Sequence, residues 1–127
     1  TQNFIYKVLS WSKEREVLEV SADEVSVPTW APRVALVSYE AINRGLTGLY
    51  HVVSSGYASR YEWAKQVLKL CHRENLVVPV PADTFNLPAR RPKFSAMSNE
   101  RISAELGIRI PNWESDLEEY LGEVKYE

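Results

Sequence analysis

Between residues 87 and 99 the chain sets two adjacent guanidinium groups, Arg90 and Arg91, between Pro88-Ala89 and Pro92, ahead of Ser95, Met97, Ser98 and Asn99. Two prolines at this spacing fit neither a helix interior nor a central strand, so the segment reads as a rigid polar loop. Arginine presents a planar fork of donors that matches a phosphate or a carboxylate. Recognition of an anion is therefore the chemistry this loop suits; the plain alternative is a solvated connection between two helices. Thr29 and Trp30 form a second candidate. Pro28 fixes the backbone before them, and the helix expected to open at Pro32 aims free amides toward them. A ring beside hydroxyl and amide donors is what a sugar or a nucleobase uses, whereas Trp30 alone could simply plug a helix start.

Other chemistries find less support. Tyr61 and Lys65 match Tyr-x-x-x-Lys, in which a lysine one helical turn away lowers the pKa of a proton-donating tyrosine. Tyr61, however, falls on the apolar face of a capped helix, which makes it a core residue. The five glycines, at 45, 48, 56, 107 and 122, form no phosphate-cradling loop. His51, His72 and Cys71 lack the spacing of a metal site, and no nucleophile–base arrangement can be built from them.

The whole-chain totals agree with a binding role. A length of 127 residues is one domain's worth. The formal charge of −2, with Lys and Arg dispersed, speaks against a nucleic-acid binder, and Lys93 joins Arg90 and Arg91 in a small anion site at most. A single cysteine suits a reducing compartment. The chain has no apolar run near the roughly 18 to 20 residues of a membrane helix, and no signal peptide, so a cytoplasmic protein without membrane partners is expected. The start at Thr1-Gln2-Asn3-Phe4, with Met97 the sole methionine, reads as a piece of a longer polypeptide.

These residues need elements to hold them. Phe4, Ile5, Val8, Leu9 and Trp11 recur at helical spacing within 2–15, and a β-type run covers Val17 to Ser21. A helix opening at Ala31-Pro32 carries Val34, Val37 and Ala41 and stops near Gly45. Leu49 to Ser54 is β-branched and aromatic, and is expected to be a strand. Ser59 and Glu62 make a capping box for a helix burying Tyr61, Ala64, Val67, Leu68 and Cys71. A brief strand at Val77 to Val80, ended by Pro79 and Pro81, precedes the arginine loop. A helix from Ser98 to Leu106 closes at Gly107, and Asn112 caps a last helix bearing Trp113, Leu117, Tyr120, Leu121 and Val124. The expectation is a mostly helical α/β unit whose few strands either extend a sheet elsewhere or pair in a small satellite layer.

Five of these segments stand in a familiar order: Val27-Pro28-Thr29-Trp30-Ala31-Pro32, Gly48 to Gly56, Ser59 to Ala64, Pro88 to Pro92 with Ser95 and Ser98-Asn99, and Leu106-Gly107-Ile108 followed by Trp113 to Leu121. Over nearly its whole length the chain resembles the C-terminal, substrate-binding part of the dTDP-4-dehydrorhamnose reductases, extended short-chain dehydrogenase/reductases with a Rossmann-type cofactor half. The resemblance implies a single substrate-binding domain over 1–127, lacking the N-terminal Rossmann domain. That domain, the chain's natural partner, would carry NADPH or NADH and the true Tyr-x-x-x-Lys. It further implies reduction of dTDP-4-dehydro-L-rhamnose to dTDP-L-rhamnose by the full-length protein. This chain alone would be inactive and without a bound cofactor. Arg90 and Arg91 are then expected at the diphosphate of a dTDP-sugar, with Thr29, Trp30, Ser95 and Asn99 at sugar or base; a homodimer is left open. The chain departs from the family pattern at Glu24 (usually Gln), Ser26 (usually Gly) and Arg33 (where Asp is common). Those departures leave room for a non-catalytic relative, similar to the methionine adenosyltransferase β subunit. A free-standing anion-binding module is the remaining alternative.

Overall fold

In the computed structural model, which describes residues 3–124, the Asn3 side chain accepts the Tyr6 N–H at 2.8 Å and so starts α1 (Phe4–Glu14); the expected first helical residue, Gln2, lies outside the described residues. The chain continues through β1 (Val17–Ser21), β2 (Val25–Ser26), α2 (Ala31–Asn43), β3 (Ala58–Ser59) and α3 (Arg60–Leu70). Then follow β4 (Leu76–Val80), a 3-10 turn (Ala82–Phe85), α4 (Glu100–Leu106) and α5 (Trp113–Glu123). The strands form two small sheets: β1 parallel to β4, and β2 antiparallel to β3. A mostly helical α/β unit with two small sheets is thus what forms.

Two cores hold it. Val8, Leu18, Ala64, Val67, Leu68 and Trp113 are buried together where α1, β1, α3 and α5 meet. Val37, Ile102, Leu106 and Ile110 form a second, smaller core between α2 and α4. Between the two runs an ion pair, Arg33 to the buried Asp116, which ties α2 to α5.

The capping box is complete: the Ser59 hydroxyl accepts the Glu62 N–H and the Glu62 carboxylate accepts the Ser59 N–H, each at 3.1 Å. Ser59→Ala should therefore cost about 1 kcal/mol. Urea denaturation would show it as a lowered midpoint, and an unmoved midpoint would contradict this role for the cap.

Four expectations need correction. Leu49 to Ser54 is not a strand, because side chains take the hydrogen bonds that a neighbouring strand would take. Arg101 donates to Leu49 O, Asn99 to Val53 O, and the Ser54 N–H donates to the Thr29 hydroxyl. β4 passes through Pro79 instead of ending there. Leu76 donates to Glu16 O and Val80 accepts from Ala22, so even-numbered residues face β1 and Pro79 turns its ring nitrogen to the free edge. α4 begins at Glu100 rather than Ser98, since the Asn99 side chain is engaged elsewhere and makes no cap. Asn112 likewise makes no side-chain cap for α5; its carbonyl accepts the Ser115 and Asp116 N–H groups.

Candidate functional site

The arginine loop runs between β4 and α4, and one carboxylate pins both its ends. Asp23, in the turn between β1 and β2, accepts the Ala82 N–H at 2.8 Å through Oδ1 and the Lys93 ammonium through Oδ2. Backbone bonds reinforce the exit: Val25 donates to Lys93 O at 2.8 Å, and Ser95 donates to Val25 O at 2.9 Å. Lys93 is therefore occupied, which corrects the grouping of Arg90, Arg91 and Lys93 as one anion site.

This clip has a defined pH range. The bond from Lys93, followed by that from Ala82, holds the Asp23 carboxyl below its ordinary 3.8. The same pairing with Asp23 holds Lys93 above its ordinary 10.5. A lowered carboxyl supports folding fully above 3.8 and loses that support as pH falls through the lowered value. A raised ammonium does so below 10.5 and loses it as pH climbs through the raised value. The Ala82 amide signal in NMR should accordingly titrate with a midpoint under 3.8; a midpoint at or above that value would break the argument.

Beyond the clip, Arg91 reaches the rim of a cleft of about 470 Å³ bounded by α1, β1, the start of α3 and the arginine loop. Its polar lining holds Lys7, Arg15, Arg60 and Arg91 against the carboxylates of Glu19 and Glu24. Phe4, Trp11, Phe85 and Leu87 supply an apolar wall. A cavity lined by an excess of cations together with aromatic rings suits a ligand that is part anion and part ring. Arg90, one residue earlier and exposed, does not line it.

The other candidates lie elsewhere. Thr29 and Trp30 border a separate groove of about 480 Å³, with Trp63, Trp113 and Tyr120. The Thr29 hydroxyl donates to Val27 O at 3.1 Å and accepts the Ser54 N–H at 3.3 Å, so it braces its own turn. Ser95 is drawn into the β2 edge, where its N–H and hydroxyl both approach Val25 O. The Asn99 amide donates to Val53 O at 2.9 Å and to the Ser55 hydroxyl at 3.0 Å, supporting the irregular 49–55 segment. Of the six residues singled out from the sequence, Arg91 alone faces the cation-lined cleft. Tyr61 packs against the first core, with the Lys65 ammonium 5.3 Å from its ring centroid, over the ring face.

Sequence reasoning passed over Lys7, Arg15 and Arg60, which are scattered through the chain and gather only in the fold. Arg60 carried a faint signal, since it follows the capping Ser59 and must leave α3 at its first residue. Asp116 carried none; its partner Arg33 is 83 residues away. That pair also accounts for the unusual Arg33, whose Nε and Nη2 stand 3.1 and 2.9 Å from Asp116 Oδ1, while the Ser54 hydroxyl donates to Oδ2 at 2.8 Å. Among the described residues no three His, Cys, Asp or Glu side chains gather to hold a metal ion. No described helix is long and apolar enough to cross a membrane.

Comparison with known proteins gives a consistent set of relatives. The family model for the RmlD substrate binding domain matches residues 1–126. The chain is 30% identical over 129 residues to a dTDP-4-dehydrorhamnose reductase of Burkholderia thailandensis, covering 88% of this chain and 43% of that protein. It is also similar to the solved dTDP-4-dehydrorhamnose reductase of Clostridium acetobutylicum, with a TM-score of 0.91 at 28% identity over 96% of this chain and 44% of that one. The Bacillus anthracis enzyme, solved in complex with NADP, gives a TM-score of 0.88 at 31% identity over 98% and 44%. The chain thus spans less than half the length of these relatives.

Proposed function

Because the chain belongs to the RmlD substrate binding domain family, we propose that it forms the sugar-nucleotide side of a dTDP-4-dehydrorhamnose reductase. The observation that carries this reading is the cleft in which Arg91 meets Lys7, Arg15 and Arg60 beside an aromatic wall. Guanidinium and ammonium groups there take the diphosphate through charge-assisted hydrogen bonds. The rings of Phe4, Trp11 and Phe85 take an apolar face of base or deoxysugar and exclude water from it. The chain's own residues thereby bind and orient dTDP-4-dehydro-L-rhamnose, the ketone that the full-length protein would reduce to dTDP-L-rhamnose.

The residues of this chain do not fit a nicotinamide dinucleotide. Gly45 and Gly48 follow α2, Gly107 closes α4, and Gly56 packs under the Trp113 ring, so none builds a pyrophosphate cradle between strand and helix. On this reading NADPH or NADH is the ligand of a Rossmann domain in a longer polypeptide, and the present chain serves as the C-terminal substrate-binding domain. The single cysteine suits a reducing compartment, and we place the enzyme in the cytoplasm.

Titration of the chain with dTDP, followed by NMR, tests the reading. Weak binding that shifts the signals of Lys7, Arg60 and Arg91 is expected; shifts confined to the Trp30 groove, or none, would overturn it. Oxidation of NADPH by this chain with the dehydro-sugar nucleotide would refute the division of labour. A second reading is a regulatory or sugar-nucleotide-binding protein on the same scaffold. It is favoured by Glu24, whose carboxylate already engages Arg60 inside the cleft. A full-length protein that binds dTDP-sugar and reduces none would establish it.

A further inference from the structure

Glu24 precedes β2 and Arg60 follows β3, and the pairing of Val25 with Ser59 and of Ser26 with Ala58 brings the two side by side. Arg60 Nε stands 3.6 Å from Glu24 Oε2, and its guanidinium lies 5.1 Å from the Phe4 ring centroid. Glu24 is the more enclosed of the two, its side chain 18% exposed against 37% for Arg60. Its neighbour Asp23 is held by Lys93 and Ala82, so the backbone that carries Glu24 is fixed. A carboxylate is thus built permanently into the wall of a cleft whose Lys7, Arg15 and Arg91 attract anions.

Resting on the reading that this cleft takes a dTDP-sugar, we propose that Glu24 is a specificity-determining residue. Its fixed negative charge makes the cleft discriminate against ligands with more negative charge, while its hold on Arg60 loosens the grip on any phosphate. A sugar nucleotide is a diphosphodiester with about two negative charges, whereas free dTDP has a terminal phosphate and carries nearly three at neutral pH. A fixed carboxylate at the phosphates repels the third charge, and it also competes with any phosphate for the Arg60 fork. The effect is rejection of free dTDP in favour of the sugar nucleotide.

A double-mutant cycle on the purified chain, titrated calorimetrically with dTDP and with dTDP-glucose, tests this. Glu24→Gln keeps the size of the side chain and removes its charge. It should tighten dTDP roughly tenfold and dTDP-glucose roughly threefold or less. With Arg60→Gln in place, the gain for dTDP-glucose should shrink to about twofold or less, while dTDP should keep the larger gain, because repulsion of its extra charge does not pass through Arg60; Arg60→Met serves if that variant does not fold. Equal gains for the two ligands, with or without Arg60, would overturn the proposal. If the unaltered chain binds both ligands and Glu24→Gln changes neither, the proposal fails while the substrate reading stands. If no variant binds either ligand, both fall together.

Discussion

Replacing Arg33 with leucine should lower the stability of this chain by about 3 kcal/mol, and adding Asp116→Leu should restore most of that loss. The Asp116 side chain is 2% exposed and its Oδ1 has two donors, both from Arg33. Removing the guanidinium leaves a buried carboxylate with the Ser54 hydroxyl as its one remaining donor among the described bonds. Stranding one member of a buried pair is costly, while replacing both by apolar side chains returns the desolvation energy that the pair had to overcome. The site magnifies the effect, because this pair joins α2 of the second core to α5 of the first. For a domain of this size the single variant should melt about 10 °C lower. Calorimetry on the two single variants and the double variant measures it. A double variant no more stable than Arg33→Leu would show that the stranded Asp116 carboxylate is not the cause of the loss.

Arg91→Ala should weaken dTDP binding by about tenfold or more, while Arg90→Ala should change it by about twofold or less. A hydrogen bond to a charged partner contributes about 1.5 to 3 kcal/mol, and the exposure of Arg91 argues for the lower end. The two arginines are adjacent in sequence but differ in direction: Arg91 lines the cleft and Arg90 does not. Phosphate contacts by exposed cations also weaken with salt, so raising ionic strength should narrow the gap between the variants. Isothermal titration at two salt concentrations checks both statements. Equal losses for the two variants, or a larger one for Arg90→Ala, would show that the loop presents its other face to the ligand.

Local signals were legible where a few neighbouring residues decide the outcome. The capping box at Ser59 and Glu62, the proline-opened α2 and the left-handed Gly107 at the end of α4 each rest on contacts within one turn. Leu49 to Ser54 was misread because its composition suits a strand, but a strand needs a partner, and here Asn99, Arg101 and Thr29 approach instead. Pro79 reads as a strand end until the pairing with β1 shows that its nitrogen faces away. Lys93 looked like a third anion ligand, since nothing in the linear chain reveals Asp23, 70 residues earlier, as its partner.

By itself the amino-acid sequence determined the helices, the capping box of α3, the glycine stop of α4, a doubly cationic loop between prolines and the order of motifs that marks the family. Each of these depends on residue type and short spacing, through backbone restriction and hydrogen bonds to near neighbours. The tertiary structure alone decided that Arg91 rather than Arg90 faces a cleft, that Lys7, Arg15 and Arg60 join it, and that Thr29 and Trp30 border a different groove. It also decided that Arg33 and Glu24 answer Asp116 and Arg60. The physical reason is that Coulomb and hydrogen-bond energies depend on distance in space and on burial, and packing sets both after the chain has folded.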